Sequence, residues 1–401
     1  MGSYKVGTME LGLVGKPNVG KSTFFSAATR ADVEMASYPF TTIEANMGVG
    51  YVRSPCPHED LDVECNPNHT PCIDGTRMIP VKIIDVAGLV PDAHKGKGLG
   101  NKFLDDLRQA STLIHIVDSS GSTNCEGEPC VVGEHDPRED VEFLAHEIDH
   151  WLKGILEKNW DKVSRRLELV GGNLGHLVYE QLSGLGISES KVTAAIRDSN
   201  IDPNPKKWSE EDIFSLAHNI RSKSKPMIIA ANKADMASDE FLSSLNEMPY
   251  EVVPTSAEYE LALRKASESG IVDYFPGDST FEILKDDITE GQKNALNKIS
   301  AYMEIHGSLG VQETLEKAIY ELLDMIVVYP VENEHNYTDK EGRVLPDAHL
   351  LPRGSTAEDL AYSVHTDIGK GFIRAIDAKT GRVIGREHVL NSNDVIKIVS
   401  K

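Results

Sequence analysis

The sequence predicts an α/β chain built on a doubly wound, mostly parallel sheet, interrupted by a helical insertion and followed by a small α+β unit. Three observations carry this. Short apolar runs at Leu11–Val14, Val81–Ile84 and Leu113–Val117 each end at a Gly or Asp, as strands do when they feed a loop at one sheet edge. The same strand text resumes at Met227–Ala231 and Val252–Val253. Between these blocks the apolar residues fall at Leu144, Ile148, Trp151, Leu152 and Ile155, then at Trp160, Val163, Leu167 and Val170, which is three-and-four helical spacing.

The insertion therefore reads as a pair of amphipathic helices followed by more helical text, with turns at Ser183–Ile187 and Asp202–Pro205. After Met325 the character changes again. Ile326–Val331, Phe372–Ile376 and Val395–Val399 read as strands, Val344–Leu351 as a hairpin arm, and Ser355–His365 as a helix opened by a Ser355/Glu358 capping box. Met1–Thr8 precedes a second Met that opens directly into a strand, and reads as a tail outside the fold.

Composition bounds the function. With 41 Lys and Arg against 63 Asp and Glu, the net charge is -22. Such a surface is repelled by polyphosphate as a whole, so general nucleic-acid coating and sequence-specific DNA binding are not expected. Acidity is concentrated before residue 137 and between 226 and 326; the remaining segments are near neutral and are where an RNA contact is to be sought. No apolar run approaches a membrane span. Five cysteines in 401 residues do not make a disulfide scaffold, and a cytoplasmic location is expected.

The strongest motif is Gly15-Lys16-Pro17-Asn18-Val19-Gly20-Lys21-Ser22, which follows a strand and precedes a helix beginning at Thr23. This is the G-x-x-x-x-G-K-[ST] pattern of a P-loop NTPase, in which backbone N–H groups and a helix N-terminus cradle phosphate oxygens. Lys21 would reach the β- and γ-phosphates, and Ser22 would ligate Mg2+. Asp85-Val86-Ala87-Gly88 ends the next strand at the same sheet edge, putting a Mg2+-linked acid, acting through water, and the Gly88 N–H near the γ-phosphate. Asn232-Lys233-Ala234-Asp235 selects the base. A carboxylate at Asp235 accepts from both N1–H and the exocyclic amine of guanine, and adenine offers neither donor there. Asn232 would brace the loop and the Lys233 stem would cover the base, while Ser256 and Ala257 would present backbone N–H to guanine O6.

With Tyr38-Pro39-Phe40-Thr41-Thr42 and Asp85-Val86-Ala87-Gly88-Leu89-Val90-Pro91, these motifs resemble the Obg family of translation-associated GTPases. The insertion between Asp118 and Pro226 and the C-terminal unit are most similar to its YchF branch in archaeal form, over nearly the whole chain from Met9. Residues 327–401 resemble the TGS domain, a β-grasp module found on threonyl-tRNA synthetase and stringent-response enzymes. The resemblance implies a P-loop GTPase domain at 9–137 and 223–325, a helical domain at 138–222 and a TGS domain at 327–401, with ribosome or structured RNA as partner of the last two. It makes Lys21, Thr42 and Gly88 the catalytic set, with Thr42 joining Ser22 and Asp85 around Mg2+. Leu89 stands where many small GTPases place a water-orienting Gln, so slow intrinsic turnover is expected. Asn18 holds the place of an Asn that helps K+ bind in potassium-activated relatives, and is equally a turn former. Many YchF-type proteins have altered the base-reading motif and accept ATP, but Asn232 and Asp235 are intact here, so GTP is expected. An ATP-preferring hydrolase of the same fold and a nucleotide-binding scaffold without turnover are the alternatives.

Two features remain. His94-Lys95-Gly96-Lys97-Gly98-Leu99-Gly100 suits a loop that refolds around a γ-phosphate. Cys56, His58, Cys65, His69 and Cys72 form a thiol and imidazole set, with Cys125 and Cys130 further on. Zn2+ at Cys56, Cys65 and Cys72 is an option, but the thiols are separated by eight and six residues and no C-x-x-C knuckle exists, so the spacing favours reduced loop cysteines.

Overall fold

The computed structural model describes residues 9–30, 46–86, 106–170, 172–202 and 204–401. Thr41, Thr42, Gly88, Leu89 and the 94–100 loop lie outside the described residues. The chain divides into two compact units, one of residues 1–9, 28–82 and 315–401, the other of 10–27 and 83–314.

The second unit is organised by strands β1 (Glu10–Val14), β5 (Thr112–Asp118), β6 (Met227–Asn232) and β7 (Glu251–Pro254), with β4 (Thr76–Asp85) reaching into it at its end; the two-residue strands β8 (Val272–Asp273) and β9 (Glu282–Ile283) form a separate antiparallel pair. β1, β5, β6 and β7 are neighbours in that order and all pair parallel, in the register Leu13↔Ile114, Ile114↔Ile228 and Ile228↔Glu251. Every residue of β5 and β6 is buried, as a parallel sheet covered on both faces requires. The loops that leave these strands at their C-terminal ends therefore meet at one edge, which is where the motifs lie.

The expected helical insertion is present as helices Pro137–Glu157, Trp160–Val170, Leu174–Leu182, Glu189–Asp198 and Glu210–Ser224, with 3-10 turns at Ser183–Leu185 and Pro205–Lys207. Asp136 caps the first of these, Pro137 occupies its first position and Glu139 and Asp140 fill its first turn, all favourable at a helix N-terminus. The long first and last helices are joined by a buried ion pair, Arg221 Nε to Asp149 Oδ1 at 2.6 Å, with His218 Nδ1 2.9 Å from the other oxygen. Trp160 and Trp208 stack at 4.9 Å between ring centroids and close the far end.

In the first unit, β2 (Met47–Pro55) is the neighbour of β4, and the two-residue β3 (Cys72–Ile73) pairs antiparallel with the start of β4. A mixed five-stranded sheet follows in the order β11 (His349–Pro352), β10 (Met325–Val331), β14 (Asp394–Ser400), β12 (Phe372–Asp377) and β13 (Arg382–Ile384). β10 and β14 are parallel and the other pairs antiparallel. The helix Ala357–Val364 covers one face through Leu360 and Ala361, against Ile326, Val328, Phe372 and Ile396. Its capping box is Thr356 with Asp359, one residue beyond the expected pair, because Thr356 has the extended backbone an N-cap needs. The expected arm Val344–Leu351 is a strand only over its last residues; Val344 makes an isolated bridge to Thr338 instead. Among the described residues no helix is long and apolar enough to cross a membrane.

Candidate functional site

β1 ends at Val14, and the loop Gly15–Gly20 turns the chain into the helix Lys21–Thr29. The turn needs left-handed backbone at Asn18 (φ 63°) and Gly20 (φ 91°). Gly20 has a second reason to be glycine: a Cβ there would lie 2.3 Å from Asn232 Nδ2. That contact marks the joint of the site. Asn232, buried at the end of β6, donates from Nδ2 to Val19 O at 2.7 Å and accepts at Oδ1 from Ala257 N–H at 3.0 Å. One amide thus ties the phosphate loop, the end of β6 and the loop after β7 together.

A cavity of about 630 Å3 lies between these loops, lined by Lys16, Pro17, Asn18, Gly20, Lys21, Ser22, Thr23, Asn232, Lys233, Asp235, Met236, Ser256 and Glu258. Its volume is in the range of small-molecule sites. Ser22 is exposed on the first helical turn. Lys21 forms an ion pair with Asp85, which stands at the end of β4. Asp235 is half-buried and, among the described residues, takes part in no hydrogen bond or ion pair with the protein. It is an open anionic acceptor in the wall of the cavity.

Several side chains have partners that the sequence did not indicate. Lys16 lines the cavity, yet its ammonium is buried and held by Thr123 O at 2.9 Å and by the two oxygens of Asp140 at 2.8 and 2.7 Å. It anchors the loop to the first turn of the helical insertion, where His135 Nε2 also meets Asp140 at 2.9 Å. Lys233 has a left-handed backbone (φ 60°) and donates to Asp118 Oδ2 at 2.7 Å and Ser122 Oγ at 3.2 Å. Asp118, fully buried at the end of β5, also accepts from Ser120 Oγ at 2.6 Å, Ser122 Oγ at 2.8 Å and Thr123 Oγ1 at 3.0 Å. Burial alone would raise its carboxyl, but the bonds from Lys233, Ser120 and Ser122 hold it below the usual range. The backbone N–H groups assigned to guanine O6 are engaged within the protein, Ser256 with Leu309 O at 3.0 Å and Ala257 with Asn232. A base carbonyl at Ala257 would share that donor. Asn18 Nδ2 donates to Gly127 O at 2.8 Å, the behaviour of a turn residue pinned to the loop beside it.

The Asp118 network and the Lys16–Asp140 pair were missed from sequence. A buried Asp closing an apolar strand was the available signal for the first. Nothing local signals the second, whose partners are 124 residues apart.

In the first unit the thiols of Cys56, Cys65 and Cys72 and the imidazole of His58 come together, each ligand atom within 4.8 Å of the others. His69 belongs elsewhere. Its Nδ1 lies 3.0 Å from Asp347 Oδ1 and 2.8 Å from Asn68 Nδ2. Cys125 and Cys130 are also outside the cluster.

A parallel sheet, a glycine loop at the end of its first strand and an acid at the end of the next define a P-loop nucleotide-binding protein. Comparison with known proteins agrees. Residues 10–159 match the family model "50S ribosome-binding GTPase", 230–333 match "Obg-like GTPase YGR210-like, G4 motif-containing domain", and 335–400 match "TGS domain". An uncharacterised GTP-binding protein of Methanocaldococcus jannaschii is 52% identical over 394 residues, covering 97% of this chain and 98% of that protein. The ribosome-binding ATPase YchF of Bacillus subtilis is 27% identical, covering 96% and 97% of the two chains. The crystal structure of a GTP-binding protein from Pyrococcus horikoshii OT3 superposes with a TM-score of 0.79 at 42% identity, covering 98% of this chain and all of that one. The YchF GTPase of Schizosaccharomyces pombe shares the fold, with a TM-score of 0.58 at 19% identity and coverage of 98% of each chain. The chain belongs to the Obg-like, YchF-type family of GTP-binding proteins, and carries a P-loop GTPase domain, a helical region and a C-terminal TGS domain.

Proposed function

We propose that this protein is a Mg2+-dependent GTP hydrolase whose nucleotide state acts as a conformational signal. The observation that carries the reading is Asp235, a half-buried carboxylate with no hydrogen-bond or ion-pair partner among the described residues, in the cavity that the phosphate loop also lines. Guanine fills it with two N–H donors; adenine leaves it desolvated and unpaired.

The remaining residues divide the work. The N–H groups of Gly15–Thr23 and the helix N-terminus hold the phosphates, and Lys21 turns from Asp85 to the β- and γ-oxygens. The hydroxyls of Ser22 and Thr42 and, through water, the Asp85 carboxylate offer the all-oxygen donor set that suits Mg2+. Mg2+ bound there would neutralise charge on the triphosphate. By the family resemblance, the Gly88 N–H would serve the γ-phosphate. Water attacks the γ-phosphorus in line, the bond to the bridging oxygen breaks, and GDP and phosphate leave. Leu89 supplies no polar group to orient that water, so unaided turnover is slow. Among the described residues no donor engages Asn18 Oδ1, which leaves it available to an activating K+.

The relatives named as ribosome-binding, and the TGS match, support a ribosome or structured-RNA partner reached through residues 138–222 and 327–401, with the GTPase domain at 9–137 and 223–325. Five free cysteines suit a reducing cytoplasm. ATP preference is the second reading, favoured by relatives at 25–28% identity named as ATPases. Phosphate release from GTP and ATP, measured with Mg2+ in KCl and in NaCl, with and without ribosomes, tests the proposal. Slow GTP turnover that rises with KCl or ribosomes supports it. Faster turnover of ATP, or none of GTP under any condition, overturns it in favour of the ATPase or the scaffold.

A further inference from the structure

We propose that Cys56, His58, Cys65 and Cys72 form a structural zinc site that fastens the 56–75 loop to the TGS domain. Sequence spacing argued against this, because no two of the cysteines sit in a knuckle. The fold supplies what the spacing lacks. Cys56 follows the end of β2, Cys72 opens β3, and β3 folds back antiparallel onto β4 through the left-handed pair Asp74 (φ 46°) and Gly75 (φ 78°). Cys56 N–H donates to Gly75 O at 2.8 Å, which brings the two ends of the loop side by side. A turn with Val63 N–H on His58 O at 3.1 Å then returns Cys65 to the same point.

The resulting polyhedron has the size zinc requires. Cys56 and Cys65 sulfurs are 4.0 Å apart, and His58 Nδ1 lies 3.4 Å from Cys65 Sγ and 3.6 Å from Cys72 Sγ. A tetrahedron with Zn–S of about 2.3 Å and Zn–N of about 2.0–2.1 Å has edges of about 3.8 Å between sulfurs and about 3.5 Å between sulfur and nitrogen. Four protein ligands of this kind leave no open position, so the site is structural rather than catalytic.

A second observation is independent of the ligand geometry. Arg77 is fully buried, and among the described residues no carboxylate pairs with it. Its Nη2 donates to Cys56 Sγ at 3.2 Å, its Nη1 to Thr70 O at 2.9 Å and Leu345 O at 3.0 Å, and its guanidinium lies 5.4 Å from the Tyr329 ring centroid. A buried guanidinium needs an anion nearby. Zn2+ with three thiolates and a neutral imidazole carries one negative charge, which Arg77 balances, and a charged donor on a ligating sulfur is the outer-shell contact metal sites use. The same residue carries the link to the TGS domain, since Leu345 lies in the segment the metal loop grips: Asn68 N–H donates to Pro346 O at 2.7 Å, Asn66 N–H to Val344 O at 3.2 Å, and His69 meets Asp347.

The test is the metal content of the full-length chain, purified under reducing conditions from zinc-supplemented cells and freed of any affinity tag. The expected result is about one zinc per chain, falling to less than about a tenth in Cys65→Ser and Cys72→Ser and unchanged in Cys125→Ser. A second measurement uses the unaltered protein and does not depend on how those variants fold. Stripped with a chelator and given Co2+ alone, it should develop the strong visible absorption of tetrahedral cobalt thiolate, and hydrogen exchange in 66–69 and 343–347 should slow on adding Zn2+. Unaltered protein without zinc and without the cobalt spectrum, iron in place of zinc, a Cys56–Cys65 disulfide under these conditions, or zinc that survives Cys72→Ser would each overturn the assignment.

Discussion

Replacing Asn232 by Ala probes the joint on which the nucleotide site depends. The side chain is 2% exposed and serves two backbone groups, accepting from Ala257 N–H at 3.0 Å and donating to Val19 O at 2.7 Å. Truncation orphans both, at roughly 1–3 kcal/mol for each buried group left unpaired. Because the cavity lets water approach one side, we take the lower end, about 2–3 kcal/mol in all. At roughly 2–4 °C per kcal/mol for a unit of this size, the melting temperature should fall by about 4–12 °C. If half the cost appears in the pocket geometry, GTP binding weakens about tenfold, since about 1.4 kcal/mol is one decade. Differential scanning calorimetry and isothermal titration with GTP read both numbers. Asn232→Asp is the sharper control, because it keeps an acceptor for Ala257 but sets an oxygen against Val19 O, and should bind no better than the Ala variant. A melting temperature within about 1 °C of the parent, with GTP affinity within about twofold, would refute the reasoning.

Asp235→Asn should lose GTP by about 100-fold, the worth of two charge-assisted hydrogen bonds partly offset by exposure, and should gain xanthosine triphosphate, whose base presents an acceptor to the amide; competition binding checks the exchange. Lys16→Met leaves Asp140 buried with only His135 beside it and should cost about 2–4 kcal/mol in urea unfolding, with Asp140→Asn on the same background recovering part of the loss. His115, buried in β5, is pushed down to about 3 by burial and then by the Lys16 charge. Its unfolded form takes a proton near pH 6.5 that the folded form refuses, so the stability it contributes is complete above about pH 6.5 and is lost as pH falls towards 3, by at most about 1.4 kcal/mol per unit. His115→Gln should flatten that part of the acid limb in urea unfolding between pH 4 and about 6.5; an unchanged slope would contradict the assignment.

The nucleotide site was legible because its logic is local. Each motif sits within a few residues of a strand end, and a parallel sheet gathers strand ends without further instruction. The bracing role of Asn232 follows from that convergence. Contacts that depend on how distant segments pack were not legible. Lys16 gave no sign of its partner Asp140, nor Lys233 that its ammonium lies on Asp118. Strand β2, with Gly48 and Gly50 in its first half, carries too weak a β signal to be found by pattern. Its omission hid the hairpin geometry that delivers Cys56 to Cys72. Strands β10, β12 and β14 were found from their apolar runs and the three-residue β13 was not, whereas the capping box needed the actual backbone at Thr356, because Ser355 offered the same chemistry one residue earlier.

The central claim is that the protein selects its nucleotide through the hydrogens on the base. The most direct measurement is the affinity of the unaltered chain for GTP and for ATP, by isothermal titration in Mg2+ and K+. Two donors for Asp235 on guanine, and none on adenine, predict GTP tighter by about 100-fold or more. ATP bound as tightly as GTP, or more tightly, would contradict the account.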